Sequence, residues 1–173
     1  MKFTTRFMAL AAAAAFSCTV QASSNRPTSS TYLITHKAQV SASPAAVYAA
    51  LGQVDKWWSA RHTYSGKAEN LKLDMRGGGC FCEAWDGGSA EHARVVLALR
   101  DKTLRLEGGL GLLQEKAVTA ILNFALSAEG GKTTILVTYR VRAVEGGLDA
   151  SNELVDKVIG EQVEGLVGYL NRK

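Results

Sequence analysis

The chain has 173 residues, of which 47% are hydrophobic, and this length suits one domain with a substantial core. The formal net charge is +4 and no long basic run occurs, so the composition does not indicate a nucleic-acid partner.

The first residues have the pattern of a secretory signal peptide. Cations precede an alanine-rich apolar run over 7–20, and Val20-Gln21-Ala22 forms a small-x-small cleavage site. The run is too short for a stable membrane span. We therefore predict a signal peptide over 1–22, cleavage near Ala22 and a periplasmic or secreted protein. Cys18 leaves a lipoprotein alternative, although the lipobox before it is poor.

Residues 23–31 are polar and are predicted to be a flexible lead-in, with one domain over 32–173. The alternation from Tyr32 to Val40 predicts a first strand. Ser43-Pro44 then predicts a helix, with Ser as N-cap and Pro at the first position. We expect this helix to end near Trp57-Trp58.

Period-two alternation next predicts a run of antiparallel strands. A strand over 71–76 comes first, and Gly87-Gly88 is a hairpin signal between strands at 80–85 and 90–99. Further strands are predicted at 104–107, 118–126 and 133–144.

The last stretch, 149–173, has apolar residues at three- and four-residue spacing and predicts one long amphipathic helix, with Ser151 or Asp149 as N-cap. The element order predicts an α+β fold in which one curved antiparallel sheet wraps around this helix. The first strand should lie beside the last. A small barrel or sandwich is the rival fold, and the long helix counts against it.

Several stretches resemble the SRPBCC or START-like helix-grip superfamily, which includes polyketide cyclases and plant pathogenesis-related allergens. Ser43 to Tyr48, Trp57-Trp58 and Gly78-Gly79 resemble its polyketide-cyclase-like or heat-shock-ATPase activator-like branch. The resemblance covers the chain after the signal peptide. It implies a cavity between sheet and helix, and either hydrophobic-ligand binding or cyclase and dehydratase chemistry. A chaperone-activator role is disfavoured, because that partner is cytosolic.

A hairpin tip at Gly87-Gly88 places Glu83 opposite His92, Phe81 opposite Arg94 and Trp85 opposite Ala90. One face then holds Phe81, Glu83, Trp85, His92, Arg94 and Val96, and the other holds Cys80, Cys82, Ala84, Glu91, Ala93, Val95 and Leu97. We favour the first set as the inner face, from the phase of the preceding strand. The second set is more uniformly apolar, which argues the reverse, and one bulge would exchange them.

Glu83 and His92 are the candidate catalytic residues, because a carboxylate beside a histidine in a dry cavity can move a proton. The simpler interpretation is a cross-strand charge pair. The candidate ligand-binding residues are mostly aromatic, which suits a half-apolar site: Trp57, Trp58, Phe81, Trp85, Arg94, Tyr139 and His36. Packing in the core is the alternative role for Trp57, Trp58 and His36.

Cys80 and Cys82 share a strand face, where a disulfide between them would be strained. We expect them to be small buried hydrophobes, with thiol chemistry or copper binding alongside His92 as the alternative. The glycine-rich loop over 108–113 predicts a mobile lid or a plain hairpin connection.

The sequence therefore favours an exported protein that binds a small hydrophobic or aromatic molecule. We expect no cofactor, no metal site, no nucleic acid and no stable membrane span. The alternative is a polyketide-cyclase or dehydratase-like enzyme that uses Glu83 and His92 for proton transfer.

Overall fold

The computed structural model describes residues 30–144 and 148–172. The predicted signal peptide and nearly all of the predicted lead-in lie outside the described residues. The described part contains β1 (Ser30–Val40), α1 (Pro44–Leu51), β2 (Leu71–Leu73), β3 (Cys80–Trp85), β4 (Gly88–Leu99), β5 (Thr103–Glu107), β6 (Val118–Glu129), β7 (Lys132–Ala143) and α2 (Asp149–Leu170). Short 3-10 turns lie at Val54–Lys56, Ala60–His62, Ala68–Asn70 and Gly111–Leu113.

The strands form one antiparallel sheet in the order β1-β7-β6-β5-β4-β3-β2. The pairing of β1 with β7 confirms that the first strand lies beside the last. Because α2 packs across the sheet, the predicted α+β helix-grip fold is confirmed. The second strand is shorter than predicted, since β2 ends at Leu73. Within 30–144 and 148–172, no helix combines the length and the apolar character needed to cross a bilayer.

The start of α1 follows its sequence signal. The Oγ of Ser43 accepts a hydrogen bond from the amide of Ala46 at 3.2 Å, and Pro44 occupies the first turn. The helix ends at Leu51, earlier than the predicted end near Trp57-Trp58. A 3-10 turn carries the chain from there to the two tryptophans.

The helix α2 buries an apolar stripe against the sheet, formed by Val155, Ile159, Val163, Leu166 and Leu170. A side chain of this kind contributes about 1.5–3 kcal/mol when fully buried. Gly165 allows close docking, because a Cβ there would lie 2.3 Å from the carbonyl oxygen of Trp57. The predicted N-caps are wrong: Leu148 is the N-cap, and the side chain of Ser151 donates to its carbonyl at 2.8 Å.

The β3–β4 hairpin has a different register from the predicted one. Glu83 pairs with Ala90, and a β-bulge between Phe81 and Cys82 leaves His92 as an extra residue on β4. His92 and the next residue, Ala93, are consequently both buried. A bulge of this kind exchanges the inner and outer positions beyond it.

The predicted inner set is therefore only half right. Phe81, Glu83 and His92 do face inward, but Arg94 and Val96 are exposed. The predicted pairings of Glu83 with His92, Phe81 with Arg94 and Trp85 with Ala90 are wrong, because the two-residue turn is Asp86-Gly87 and not Gly87-Gly88. Their partners on β4 are Ala90, Ala93 and Gly88.

Cys80 and Cys82 form a disulfide on the outer face of the sheet, with their Cα atoms 5.3 Å apart. This separation lies within the range that disulfides span. The expectation of small buried hydrophobes is wrong, since both residues are half-buried. His92 lies on the opposite face of the sheet, so the predicted grouping of the cysteines with His92 does not form.

Candidate functional site

A cavity of about 460 Å³ lies between the first half of α2 and the loops that face it. The opposite wall consists of the segments 58–64 and 110–115 together with His92 of β4. The core beneath is well packed, because the void among Trp57, Phe81 and their neighbours holds about 10 Å³. That volume is roughly the least that one water molecule needs. Empty space large enough for an organic ligand therefore adjoins α2.

The cavity is lined largely by apolar side chains: Trp58, Leu110, Leu112, Leu154, Val155, Val158 and Ile159. Three lining residues are large and exposed to solvent, namely Tyr64 at 50%, Leu112 at 41% and Leu154 at 50%. Exposed apolar groups that cluster around a concave surface mark sites of apolar contact. The mouth of the cavity is therefore largely apolar, as its walls are.

His92 brings a hydrogen-bonding group into this apolar space. Its Nε2 lies 3.0 Å from Oε2 of Glu83. His92 is 6% exposed and Glu83 is fully buried. The two candidate catalytic residues are therefore in contact, although Glu83 pairs with Ala90 and His92 is its diagonal neighbour two residues further along β4.

The carboxylate of Glu83 is held from a second side by the loop after Trp58. One oxygen accepts a hydrogen bond from the amide of Tyr64 at 3.0 Å, and the other accepts one from the amide of Ser65 at 2.6 Å. Glu83 does not itself line the cavity, and the side chain between its carboxylate and the empty space is His92.

The environment sets the charge of each partner. Burial would raise the pKa of Glu83, but hydrogen bonds from the Ser65 side chain, from the two loop amides and from His92 outweigh it and lower that pKa. Burial lowers the pKa of His92 and outweighs the attraction of Glu83. An ionised carboxylate can only accept, so Nε2 of the neutral ring carries the proton and Nδ1 remains an acceptor. No described residue forms a hydrogen bond to Nδ1.

A second polar group lies at the rim. Nε2 of His62 is 2.7 Å from Oε2 of Glu161, and Nη2 of Arg61 is 3.2 Å from the same oxygen. The hydrogen bond from His62 lowers the pKa of Glu161. Because Arg61 and His62 line the cavity, this cluster joins its loop wall to α2.

Tyr64 closes the space over His92. The two rings are stacked, with centroids 5.6 Å apart and planes inclined by 18°. The hydroxyl of Tyr64 donates to the side-chain oxygen of Gln114, whose amide donates to the carbonyl of Glu91 at 2.7 Å. Tyr64 thus connects the two loops that form the wall opposite α2.

The predicted lid, 108–113, borders the cavity through Leu110, Gly111 and Leu112. Tyr139 anchors its start, because its hydroxyl donates to the carbonyl of Gly108 and accepts from the amide of Leu110, both at 2.9 Å. Burial raises the pKa of Tyr139, which keeps this hydroxyl protonated. Tyr139 lies beneath the loop and does not line the cavity.

Of the predicted ligand-binding residues, Trp58 lines the cavity. Trp57 is in the core, where Nε1 donates to the carbonyl of Ala50 at 2.9 Å. The ring of Phe81 packs between those of Trp58 and His92, with centroid distances of 5.0 Å to each. Trp57 and Phe81 therefore support the cavity from below.

The other three predicted residues lie elsewhere. The bulge turns Arg94 to the outer face, where it pairs with Glu91. Trp85 stands half-buried at the hairpin tip, and His36 on β1 contacts Asp156 of α2 at 3.0 Å. None of the three lines this cavity, so the expectation that they do so is corrected.

Sequence reasoning missed Arg61, His62 and Tyr64, although all three lie in one short segment. The run Arg61-His62-Thr63-Tyr64 brings an arginine, a histidine and a tyrosine together, two residues after Trp57-Trp58. That density of polar and aromatic side chains was the available signal. The cavity-lining role of Leu154 and Val158 was hidden, because the periodicity of α2 does not distinguish residues that touch the sheet from residues that face an empty space.

No protein-family model and no curated protein matches the chain. Solved structures do share its fold. An uncharacterised protein from Rhizobium leguminosarum is 19% identical, with a TM-score of 0.63, over 84% of this chain and 98% of that one. The Aha1 dimer from Colwellia psychrerythraea is 18% identical, with a TM-score of 0.56, over 80% and 96%. CalU16 from Micromonospora echinospora is 14% identical, with a TM-score of 0.51, over 83% and 86%. At these identities the likeness shows the helix-grip fold alone.

The lowered pKa values predict that acid weakens the fold in two steps. The unfolded chain binds protons more readily than the folded chain at His92 below about pH 6.5 and at Glu83 below about pH 4.5. The free energy of unfolding should therefore fall as the pH drops through each window. Thermal unfolding between about pH 7.5 and about pH 4 measures this, and His92→Gln should remove the upper step. A wild-type and a His92→Gln protein with parallel pH profiles above pH 5 would contradict it.

Proposed function

We propose that this protein binds a small, largely apolar or aromatic molecule in the cavity beside α2. The observation that carries the proposal is a cavity of about 460 Å³ with apolar walls and exposed apolar residues at its mouth. Binding sites for small organic molecules commonly have volumes of about 300–1,000 Å³ and a few polar groups among apolar ones.

The polar groups limit what the ligand can be. His92 offers a neutral ring with Nδ1 as acceptor, and Tyr64 stacks against that ring. A ligand with an apolar body against α2 and one hydroxyl or other donor near His92 satisfies both. Arg61 pairs with Glu161, and the exposed carboxylate of Glu115 also lines the cavity, so a strongly anionic ligand is not favoured.

We assign the chain to the polyketide-cyclase-like or activator-like branch of the helix-grip superfamily as part of this proposal. The residues that support it are Ser43 to Tyr48 and Trp57-Trp58. Within that branch the cyclase-like members are the better guide, because an export signal would separate this chain from a cytosolic chaperone.

Filling the cavity should abolish binding. Val158 lines the cavity and is half-buried, so Val158→Trp would place an indole in it. We expect at least about tenfold weaker binding of an apolar fluorescent dye and of any ligand recovered by native mass spectrometry. Val96→Trp on the outer face is the matched control and should bind as the wild type does. Equal affinity in both variants, or no thermal shift across a lipid and polyketide panel, would contradict the proposal.

Proton transfer is a second candidate function, favoured by the contact between Glu83 and His92 at the cavity wall. A neutral His92 can take a proton from a bound molecule at Nδ1. Glu83 is the positioning residue, since it fixes the tautomer and stabilises the imidazolium that forms. Enolisation begins with such a step, and so do cyclisation and dehydration that pass through an enolate. In the last two reactions the imidazolium can return the proton to the alkoxide or to the departing hydroxyl group.

Catalysis and binding can be separated by substitution. If the protein is an enzyme, Glu83→Gln and His92→Gln should lower turnover of the recovered ligand by about 10²-fold or more. Their affinity for that ligand should stay within a few-fold of wild type. Glu91→Gln, on the outer face of the same hairpin, is the control. No conversion by the wild type would leave binding as the function and reject the enzyme.

We also propose export, with cleavage after Ala22. Protein recovered from the envelope of a Gram-negative host should begin at Ser23 by N-terminal sequencing. Ala22→Arg should block cleavage and retain the leader. A mature chain that begins at a lipidated Cys18 would instead make the protein a lipoprotein.

A further inference from the structure

The outer face of β3 carries a second candidate site, on the side of the sheet away from the cavity. Cys80 and Cys82 are disulfide-bonded and half-buried there. We propose that this pair is a thiol–disulfide exchange site that reacts with small thiols and disulfides while the protein stays folded.

The charges around the pair favour thiol chemistry. Directly opposite residues in an antiparallel pair share a face, so Lys72 of β2 lies beside Cys82 and Arg94 of β4 lies beside Cys80. Both cations are exposed. Reactive cysteines occur in partly exposed, positively charged surroundings, because a nearby cation stabilises the thiolate.

The bulge at His92 creates this arrangement. Without the extra residue, Arg94 would point inward with Phe81. With it, Arg94 faces outward and pairs with Glu91, which is the anion nearest to Cys82 along β4. The ion pair offsets the repulsion that Glu91 would otherwise exert on a thiolate.

A purely structural role explains the disulfide poorly. A cross-link restricts the unfolded chain more as the loop that it closes grows longer. Here a single residue, Phe81, separates the two cysteines. The bond therefore adds little constraint to a strand that is already paired on both sides.

A metal site is the competing interpretation. In the described part of the chain, the two sulfurs and the Glu91 carboxylate lie within 4.8 Å of one another. However, Glu91 is occupied by Arg94, and Lys72 adds a second positive charge beside the sulfurs. These cations oppose a metal ion and favour a thiolate, so exchange is the better assignment.

The proposed reaction balances with thiols alone. A thiolate R–S⁻ attacks one sulfur of the pair, which breaks the Cys80–Cys82 bond, forms a mixed disulfide and releases the other cysteine as thiolate. A second thiolate then attacks the R sulfur of the mixed disulfide, which releases R–S–S–R and leaves the second cysteine as a thiolate. The two cysteine thiolates take up the protons that the two attacking thiols lost. Two electrons pass from the two thiols to the protein, and oxidised R–S–S–R reverses each step.

The test uses the full chain with Cys18→Ser, so that no other cysteine reacts. The oxidised protein is equilibrated with glutathione buffers of graded ratio, the thiols are trapped, and intact mass reports the redox state. Circular dichroism of the same samples reports folding. We expect reversible reduction of the folded protein, and a glutathione adduct at Cys80 when Cys82→Ser is treated with oxidised glutathione. Reduction that occurs only with unfolding, or unbonded cysteines after air oxidation, would overturn the proposal.

The effect of the two cations on exchange can be measured by substitution. Lys72→Gln and Arg94→Gln should each slow exchange by about threefold at neutral pH, since the smaller thiolate fraction is partly compensated by greater nucleophilicity. Lys37→Gln, on β1 at the far edge of the sheet, should exchange at the wild-type rate. Rates unchanged in all three variants would reject the assignment. Tight Zn²⁺ or Cd²⁺ binding by the reduced protein that Glu91→Gln abolishes would replace it with a metal site.

Discussion

The buried carboxylate of Glu83 determines how the site is built. An ionised carboxylate removed from water costs several kcal/mol unless donors replace the lost hydration. Here the amides of Tyr64 and Ser65 and the ring of His92 supply those donors. The loop after Trp58 can satisfy Glu83 only if it folds back over β3. That path brings Arg61, His62 and Tyr64 to the cavity wall, so one buried charge on a strand sets the position of a loop more than fifteen residues before it.

The second constraint is the extra residue on β4. A regular hairpin would place His92 and Arg94 on one face and leave Ala93 on the other. The bulge buries His92 next to Ala93 and turns Arg94 outward. Gly108 on the neighbouring segment accommodates the displaced backbone, since a Cβ there would lie 2.4 Å from the carbonyl oxygen of His92. The irregularity thus provides the cation beside the cysteines, while His92 keeps the inward position that regular alternation gives it.

These two features explain which parts of the structure were predictable from sequence. The alternation of the strands and the three- to four-residue period of α2 report burial directly, so the sheet order and the helix-grip fold follow from them. A bulge inserts one residue without leaving a pattern in the amino-acid types, so Arg94 was assigned to the wrong face. The sequence predicts the contact between Glu83 and His92 from a direct cross-strand pairing. The contact does form, but the two residues are not paired across the strands. Tyr64 was missed because its position depends on hydrogen bonds from backbone amides, which every residue type carries.

Glu83 and His92 differ in whether a structural role explains them. Glu83 has one, because it holds the loop that forms the cavity wall through two backbone amides. His92 adds a third donor, yet an amide or hydroxyl side chain could supply that hydrogen bond without bringing an ionisable ring to the cavity. In a binding protein, the free Nδ1 of His92 accepts a hydrogen bond from a donor on the ligand, and in an enzyme the same nitrogen takes that proton. His92, buried beside Tyr64 at the cavity wall, is therefore the residue at which a binding function and a catalytic function differ.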